Sequence, residues 1–384
     1  MPKYRFEEIA INSTEKKKPT EEDKYTYLGL EHLDTGTLKV SRIGADVAPI
    51  GEKLVMRKGD VLFGKRRAYQ KKVAIAPFDG IFSAHGMVLR PREEVVDKRF
   101  FPLFISSDYF LDAAIAISVG SLSPTINWRD LKTLEFELPP LEEQRKLADV
   151  LWAINDTMEA YKKLLSSTEQ LVKSQFIEMF GNPVDNPKGW EVTNLKDLAS
   201  KIGSGATPKG GNASYKTQGI SLIRSMHVYN GHFDYEDLAY IDDEQAKKLN
   251  NVTVQSEDVL LNITGASVAR SCVVPEDILP ARVNQHVCLI RCKKERILPV
   301  FLNRLLIGDR FQALLWNMAE AAGATRQALT KEQIENLKII TPPIELQKQY
   351  IEFSEQSDKS KFELEQAINE LNATYKGIIK ENLG

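Results

Sequence analysis

The chain is 384 residues long, 42% of its residues are hydrophobic, and its formal net charge at pH 7 is −2. This length allows two or three domains with cores of their own, and the composition is that of an ordinary globular protein. The near-neutral charge is unusual for a freestanding nucleic-acid-binding domain. There is no apolar run of about 18 residues that would cross a membrane, and the N-terminus lacks the apolar core of a signal peptide. The three cysteines are too few for a disulfide framework, which favours the cytoplasm.

The first part of the chain, residues 1–138, carries short β-like runs separated by turn residues and followed by helical segments. The runs cover residues 25–28, 60–63, 72–76 and 87–90, and the helical patterns cover 98–106 and 109–117. The pattern predicts a mixed α/β domain with an irregular, curved sheet.

A basic segment follows the second of these runs. Residues 65–72 hold five cations together with Tyr69 and Gln70. Lysine suits phosphate, arginine and glutamine suit base edges, and tyrosine can stack, so the segment is a candidate nucleic-acid contact. Its candidate residues are Lys65, Arg66, Arg67, Tyr69, Gln70, Lys71 and Lys72. A solvated basic turn fits the same composition.

A long helix follows Pro139 and Pro140. Its apolar residues recur in steps of three and four and form one stripe, as in a coiled coil. They are Leu147, Leu151, Ile154, Met158, Tyr161, Leu165, Val172, Phe176 and Met179. Gly181 and Pro183 predict its end. About 40 residues of helix would span about 60 Å.

The second half of the chain repeats the first. Equivalent residues are separated by 195 to 203 positions, and the separation grows along the chain as loop insertions would make it. The matched pairs are Leu28/Ile223, His32/His227, Asp60/Asp258, His85/His286, Arg90/Arg291, Gly120/Gly323 and Pro139/Pro342. A period near 200 residues indicates a duplicated domain rather than a solenoid.

The repeat divides the chain into four segments. We predict a first variable domain at 1–138, a first long helix within 139–183, a second variable domain at 184–340 and a second long helix within 341–384. Antiparallel packing of the two helices would relate the halves by a pseudo-two-fold axis, which suits the dyad of duplex DNA. A parallel pair, with both domains at one end, stays open.

Two polar segments of the second domain are further candidates for DNA contact. Asn262, Thr264, Ser267 and Arg270 occupy the position equivalent to the basic segment. Residues 201–216 look like a flexible loop that contains Thr207 and Lys209 and could lie on phosphate. A plain surface loop explains this last segment equally well.

No residue pattern in the chain points to catalysis. Neither Pro-Pro pair has the preceding Asn or Asp and the following aromatic ring of an amino-methyltransferase loop, and Gly64-Lys65 lacks the rest of a phosphate loop. His286, Cys288 and Cys292 have no second pair of ligands at zinc-site spacing. We predict no catalytic residue, metal or cofactor in this chain. An enzyme with an unrecognised site and a coiled-coil scaffold that does not bind DNA stay open.

The chain resembles the specificity subunits (HsdS) of Type I restriction-modification systems over essentially its whole length. The matching segments are 63–72, 121–130, 203–208, 258–267 and the two Pro-Pro-Leu/Ile-Glu-x-Gln helix starts. The family's Gly-Gly-Thr-Pro is Gly-Ala-Thr-Pro here, and the first domain has residues 12–16, Asn-Ser-Thr-Glu-Lys, in its place.

The resemblance implies a non-catalytic subunit in which two target-recognition domains each read one half of a bipartite, asymmetric DNA site. The paired helices would set the unread gap and dock two modification subunits (HsdM). S-adenosylmethionine, ATP and Mg²⁺ would be used by the modification and restriction (HsdR) subunits. A specificity subunit of another bipartite methylation or restriction system is the alternative.

Overall fold

A computed structural model describes residues 1–321 and 327–383, apart from the side chain of Asn212. Gly323, one of the predicted repeat anchors, lies outside the described residues. The chain forms two compact units. Unit 1 comprises Met1–Lys163 and Leu364–Gly384, and unit 2 comprises Leu164–Glu363. None of the helices in the described ranges is long and apolar enough to cross a membrane.

Unit 1 is a mixed α/β structure, as predicted for residues 1–138. Its strands are β1 (Lys3–Arg5), β2 (Ala10–Ser13), β3 (Lys16–Lys17), β4 (Tyr27–Leu28), β5 (Lys53–Met56), β6 (Val61–Phe63), β7 (Val73–Ile75), β8 (Gly80–Phe82), β9 (Met87–Pro91) and β10 (Glu135–Glu137). Its short helices are α1 (Phe6–Ile9), α2 (Phe100–Ser106), α3 (Asp108–Ala116) and α4 (Trp128–Leu131). The predicted strand at 25–28 is shorter than expected, because residues 25 and 26 end a 3₁₀ turn.

Unit 2 follows a similar order of elements, with an additional helix at Asp243–Lys247. Its strands are β11 (Val192–Asn194), β12 (Ala199–Ser204), β13 (Ile220–Ile223), β14 (Val228–Tyr229), β15 (His232–Phe233), β16 (Ala239–Ile241), β17 (Val259–Asn262), β18 (Ser271–Val273), β19 (Ala281–Val283), β20 (Val287–Cys292) and β21 (Lys338–Ile340). Its short helices are α6 (Leu195–Leu198), α7 (Asp243–Lys247), α8 (Pro299–Leu306), α9 (Asp309–Glu320) and α10 (Lys331–Glu335).

One four-stranded sheet has the same strand order in both units. Strands β2-β9-β6-β7 form a sheet in unit 1, and β12-β20-β17-β18 form its counterpart in unit 2. Each unit also has one parallel pair, β4 with β8 and β13 with β19. An antiparallel pair, β1 with β10 or β11 with β21, joins the first strand of each unit to the strand before its long helix. The predicted internal repeat is therefore confirmed.

A buried ion pair recurs at equivalent positions of the two sheets. Arg90 binds both oxygens of Asp60 at 2.8 and 2.9 Å, and Arg291 binds both oxygens of Asp258 at 2.9 and 2.8 Å. Both aspartates are buried, at 7% and 1% exposure. A two-point arginine–carboxylate pair fixes the register of two neighbouring strands, because both hydrogen bonds form only in one alignment.

The two long helices are α5 (Leu141–Phe180) and α11 (Ile344–Leu383). The first half of α5 and the last half of α11 belong to unit 1, and the remaining halves belong to unit 2. This division is what two helices running in opposite directions produce. The predicted stripe is buried or half-buried along its length. Gly181, with φ of 75°, ends α5 as its position predicted.

Each long helix is anchored in the core of a unit. In unit 1, Leu151 of α5 and Ile379 of α11 join a cluster that contains Phe104 and Phe136. In unit 2, the Phe180 ring lies 4.9 Å from Phe301 and 5.7 Å from the buried Tyr350, measured between ring centroids. Such aromatic contacts hold the α/β part of a unit and its helix segments together.

Candidate DNA interface

The basic segment of unit 1 is the loop between β6 and β7. The Gly64 N–H donates to the Lys72 carbonyl at 2.9 Å and closes the loop. Arg67 and Lys71 have left-handed φ angles of 55° and 48°, on either side of a 3₁₀ turn that is anchored by the buried Ala68. The backbone is thus fixed from within, while the side chains of Arg66, Arg67 and Tyr69 are exposed.

Most of the predicted contact residues in this loop are accessible. Arg66 and Arg67 are exposed, Tyr69 is 57% exposed, and Lys65 and Gln70 are half-buried. Burial and the nearby Lys16 lower the pKa of Lys65. Among the described residues, no carboxylate offsets this lowering of the Lys65 pKa.

Lys71 and Lys72 instead make contacts within unit 1. The Lys71 ammonium lies 2.7 Å from both Asp108 and Asp112. Burial acts to lower the pKa of Lys71, but hydrogen bonds to the two carboxylates outweigh it and the pKa is raised. The Lys72 ammonium donates to the Leu30 carbonyl at 2.7 Å. Both lysines therefore support the loop, and contact with DNA would require them to leave these partners.

His85, one of the matched residues of the repeat, was not among the predicted DNA contacts, but it lies beside Arg66. Arg66 Nη1 lies 3.4 Å from His85 Nε2, and the Arg66 N–H donates to the His85 carbonyl at 3.2 Å. Burial and the charges of Arg66, Lys65 and Lys53 lower the pKa of His85. Lys16 and Lys53 thus extend the positive surface. The run of three lysines at 16–18 could have marked Lys16 as a candidate, whereas no sequence pattern marked Lys53.

Residues 262–270 form the equivalent loop of unit 2, between β17 and β18. The Asn262 N–H donates to the Arg270 carbonyl at 2.8 Å, which is the same closure as in unit 1. The Asn262 side chain is 0% exposed, and its amide donates to the carbonyls of Ser225 at 2.8 Å and Val228 at 3.4 Å. This burial corrects the prediction that Asn262 contacts DNA, because the side chain ties the loop to a neighbouring segment.

A chain of polar side chains joins two predicted contacts of unit 2. Thr207 Oγ1 lies 2.5 Å from Gln285 Oε1, and Gln285 Nε2 lies 3.2 Å from His286 Nε2. His286 Nδ1 lies 2.6 Å from Thr264 Oγ1. Gln285 is exposed, and the Thr264 and His286 side chains are half-buried. Gln285 carried no signal in the sequence, because a single polar residue before a strand is common.

The remaining candidates of unit 2 are Arg270, Ser267 and Lys209. The Arg270 guanidinium lies 4.5 Å from the centroid of the Tyr229 ring, a cation–π contact that holds its plane. Ser267 is half-buried, and its carbonyl accepts the Arg270 N–H at 3.2 Å. Lys209 is exposed in a turn after β12.

The predicted loop at 201–216 is only partly a loop. Residues 201–204 belong to β12, which pairs with β20, so the loop begins after Ser204. Gly205 follows, and its N–H donates to the Asn284 carbonyl at 3.0 Å. A Cβ atom at Gly205 would collide with the Val283 carbonyl. Gly205, the glycine of Gly-Ala-Thr-Pro, is therefore needed for close backbone packing, which places Thr207 beside Gln285.

The cysteine thiols are buried and chemically quiet. Burial raises the pKa of Cys272, Cys288 and Cys292 to about 12 each. Nucleophiles and metal ligands need the thiolate, which such thiols do not form at neutral pH. In residues 1–321 and 327–383, no group of three or more metal-ligating side chains converges.

The model of the Type I restriction modification DNA specificity domain matches residues 6–170 and again residues 187–373. The chain belongs to this family. It is a Type I restriction system specificity subunit that carries the domain twice, as the motifs predicted. The alternative of a scaffold that does not bind DNA is not favoured.

The relatives of the chain are specificity subunits rather than enzymes. The MjaIX specificity subunit of Methanocaldococcus jannaschii is 28% identical over 66% of this chain and 60% of its own length. The MjaVIII subunit of the same organism is 22% identical over 85% of this chain and 77% of its own length. The EcoBI specificity subunit of Escherichia coli is 24% identical over 72% and 62%, respectively.

Solved structures share the fold. A chain from a study of assembly and conformational transition of the type I R-M system matches with a TM-score of 0.60 and 20% identity, covering 99% of this chain and 97% of that one. The S subunit from M. genitalium also gives 0.60, at 13% identity and with 100% and 96% covered. At these identities the likeness shows the fold alone, and it confirms the predicted fold class.

Proposed function

We propose that the two recognition domains, residues 1–138 and 184–340, each read one half of a bipartite, asymmetric DNA site. The long helices within 139–183 and 341–384 set the gap between the half-sites and dock two modification subunits. The sheet that carries the β6–β7 loop in unit 1 and the β17–β18 loop in unit 2 has the same strand order in both units, so each can present its loop to duplex DNA in an equivalent way.

The observation that carries this proposal is the β6–β7 loop and its counterpart between β17 and β18. The two loops close with the same backbone hydrogen bond, yet one presents Arg66 and Tyr69 where the other presents Thr264 and Ser267. Equal backbones with different side chains are what an asymmetric site requires, because base edges are distinguished by the donors and acceptors that meet them.

The charges of the loops support contact with DNA despite the overall charge of −2. The contacts that we propose for unit 1 are Lys65, Arg66, Arg67, Tyr69 and Gln70, with Lys71 and Lys72 supporting the loop. Those for unit 2 are Thr207, Lys209, Thr264, Ser267 and Arg270. Unit 1 therefore relies more on cations than unit 2, and the modification subunits would supply the other phosphate contacts.

The partners supply the chemistry. We infer that the modification subunits bind S-adenosylmethionine and that restriction subunits use ATP and Mg²⁺, while this chain contributes specificity. Its three buried, free thiols suit the reducing cytoplasm.

The test is competition binding by the chain assembled with its modification subunits, on duplexes that have one half-site scrambled. Arg66→Ala and Arg67→Ala are expected to weaken or relax recognition of one half-site only. Removing a good bidentate base contact costs about 1–3 kcal/mol. Lys348→Ala is the matched control, because Lys348 is an exposed cation of α11 that pairs with Glu345.

Binding by the assembled wild-type complex should also weaken steeply as salt rises, because phosphate contacts release counterions. Absence of salt-dependent binding, or a wild-type complex that binds equally well when either half-site is scrambled, contradicts the proposal. Equal loss at both half-sites in the Arg66 and Arg67 variants removes those two residues from the proposed contacts.

A further inference from the structure

Backbone contacts beside the two loops fix which residues are equivalent. Arg66 forms an isolated β-bridge with Thr125, and Thr264 forms one with Ala328. The hydrogen bonds one residue earlier repeat in the same way: Ile126 N–H to the Lys65 carbonyl at 2.9 Å, and Leu329 N–H to the Ile263 carbonyl at 2.8 Å. Arg66 and Thr264 therefore occupy one position of the fold, although their side chains differ completely.

A histidine contacts this position in both units. His85 Nε2 lies 3.4 Å from Arg66 Nη1, and His286 Nδ1 lies 2.6 Å from Thr264 Oγ1. The two histidines precede the equivalent strands β9 and β20. The residue at this position differs between the two units, but the histidine that contacts it is the same. This suggests that the histidine orients whichever side chain occupies the position.

In unit 1 the histidine can act as an acceptor for the arginine. The neighbouring cations and burial keep the imidazole neutral, so its Nε2 lone pair can accept an N–H of Arg66. Guanidinium has five N–H donors in a planar fork, and one bond to His85 leaves the others free. An exposed, oriented fork matches the O6 and N7 acceptors of guanine.

In unit 2 the hydrogen bonds run in one direction. With the amide oxygen of Gln285 accepting from the Thr207 hydroxyl, its Nε2 donates to His286 Nε2. The proton of the neutral imidazole then lies on Nδ1 and is donated to Thr264 Oγ1. The proton of the Thr264 hydroxyl stays free, so this row of hydrogen-bonded side chains presents a single oriented O–H donor.

We propose that positions 66 and 264 are the equivalent base-reading positions of the two units. Arg66 donates to a guanine in one half-site, and the Thr264 hydroxyl donates to a base-edge acceptor in the other. His85 and His286 are positioning residues, and Gln285 and Thr207 extend the support in unit 2. This inference rests on the proposed function, because it assigns the bases that the loops read.

The test uses the assembled complex and duplexes in which each base pair of both half-sites is replaced in turn. Arg66→Thr is expected to lose discrimination at one base pair, a guanine in the wild-type site, by about 5- to 150-fold. Thr264→Val, which removes the donor at nearly constant volume, is expected to lose discrimination at one base pair of the other half-site. In each variant the untouched half-site reports that the chain is folded.

Two further variants separate base reading from charge and from general support. Arg66→Lys keeps the charge without the fork and is expected to lose the same guanine preference. His85→Ala is expected to reduce that preference while discrimination at every other base pair stays constant, whereas a merely structural role would lower affinity for all duplexes equally.

The outcomes are distinct for the two proposals. If the wild-type complex discriminates both half-sites but Arg66→Thr and Arg66→Lys keep every preference, or lose affinity equally on all duplexes, the assignment of position 66 is overturned while the proposed function stands. Unchanged preferences in Thr264→Val overturn the assignment of position 264 in the same way. A wild-type complex without preference for any half-site overturns the proposed function itself.

Discussion

His227 is a buried imidazole that supports a turn of unit 2. Its side chain is 0% exposed, and its Nδ1 accepts the Arg224 N–H at 3.1 Å. Burial and the Arg224 charge lower the pKa of His227 to about 4. His32 accepts the Gly29 N–H at 3.0 Å in the same way in unit 1, so the turn belongs to the duplicated fold.

The lowered pKa predicts that the stability of unit 2 falls in mild acid. An unfolded histidine titrates near about pH 6.5, so between there and about pH 4 the unfolded chain binds a proton that the folded unit does not. Stability is full above about pH 6.5 and falls by up to about 1.4 kcal/mol per pH unit below it. Urea midpoints between pH 7 and pH 5 should decline more steeply in the wild type than in His227→Asn.

His232→Asn, which removes an exposed imidazole, is the control and is expected to follow the wild-type decline. Parallel declines in the wild type and His227→Asn would contradict the assignment of the proton to His227.

At the scale of elements, one glutamine fastens the start of each long helix. Gln144 is 1% exposed, its oxygen accepts the Asp97 N–H at 2.8 Å, and its amide donates to the carbonyls of Val95 at 3.1 Å and Pro139 at 2.8 Å. Gln347 repeats these contacts with the equivalent backbone groups: Leu298 N–H at 2.9 Å, Arg296 carbonyl at 3.2 Å and Pro342 carbonyl at 2.8 Å. The Pro-Pro motif thus ends in a residue that joins helix and domain.

Replacing either glutamine by alanine is expected to destabilise the unit that contains it by about 3 kcal/mol. Each substitution leaves buried backbone groups without partners, and an unmade buried hydrogen bond costs about 1–3 kcal/mol. Chemical denaturation of Gln144→Ala and Gln347→Ala measures the loss, with Glu143→Ala, an exposed neighbour, as control. A loss no larger than that of Glu143→Ala would show that the glutamines do not fasten the helices.

The sequence predicted the elements better than the side-chain partners. The stripe from Leu147 to Met179 and the terminator Gly181 predicted α5 closely, because helix periodicity and its end signal are local. The burial of Asn262 was not predictable, since it depends on carbonyls about 35 residues away. Lys71 similarly contacts Asp108 only in the folded chain. The basic segment 65–72 therefore has fewer cations available for DNA than its sequence indicates.

At the scale of the whole molecule, the long helices are proposed to set the gap between half-sites. Removing residues 158–164 and 361–367 deletes one heptad from each helix and keeps the stripe nearly in register. Seven helical residues rise about 10 Å, which is about three base pairs of duplex. The methylated motif of this variant is expected to keep both half-sites and change its gap.

Inserting a heptad at the same points is the matched control and should change the gap in the opposite direction. An unchanged gap in both variants, with both half-sites still methylated, would contradict the proposal that the helices act as a spacer.

We propose above all that this chain reads two half-sites and thereby directs a modification enzyme to them. The most direct test is modification-sensitive long-read sequencing of DNA from cells that express the modification subunit, with and without this chain. We expect a split motif, two unequal half-sites around a fixed gap, to be methylated only when the chain is present. Identical methylation in both cells, with the modification subunit shown to be expressed and active, would contradict the claim.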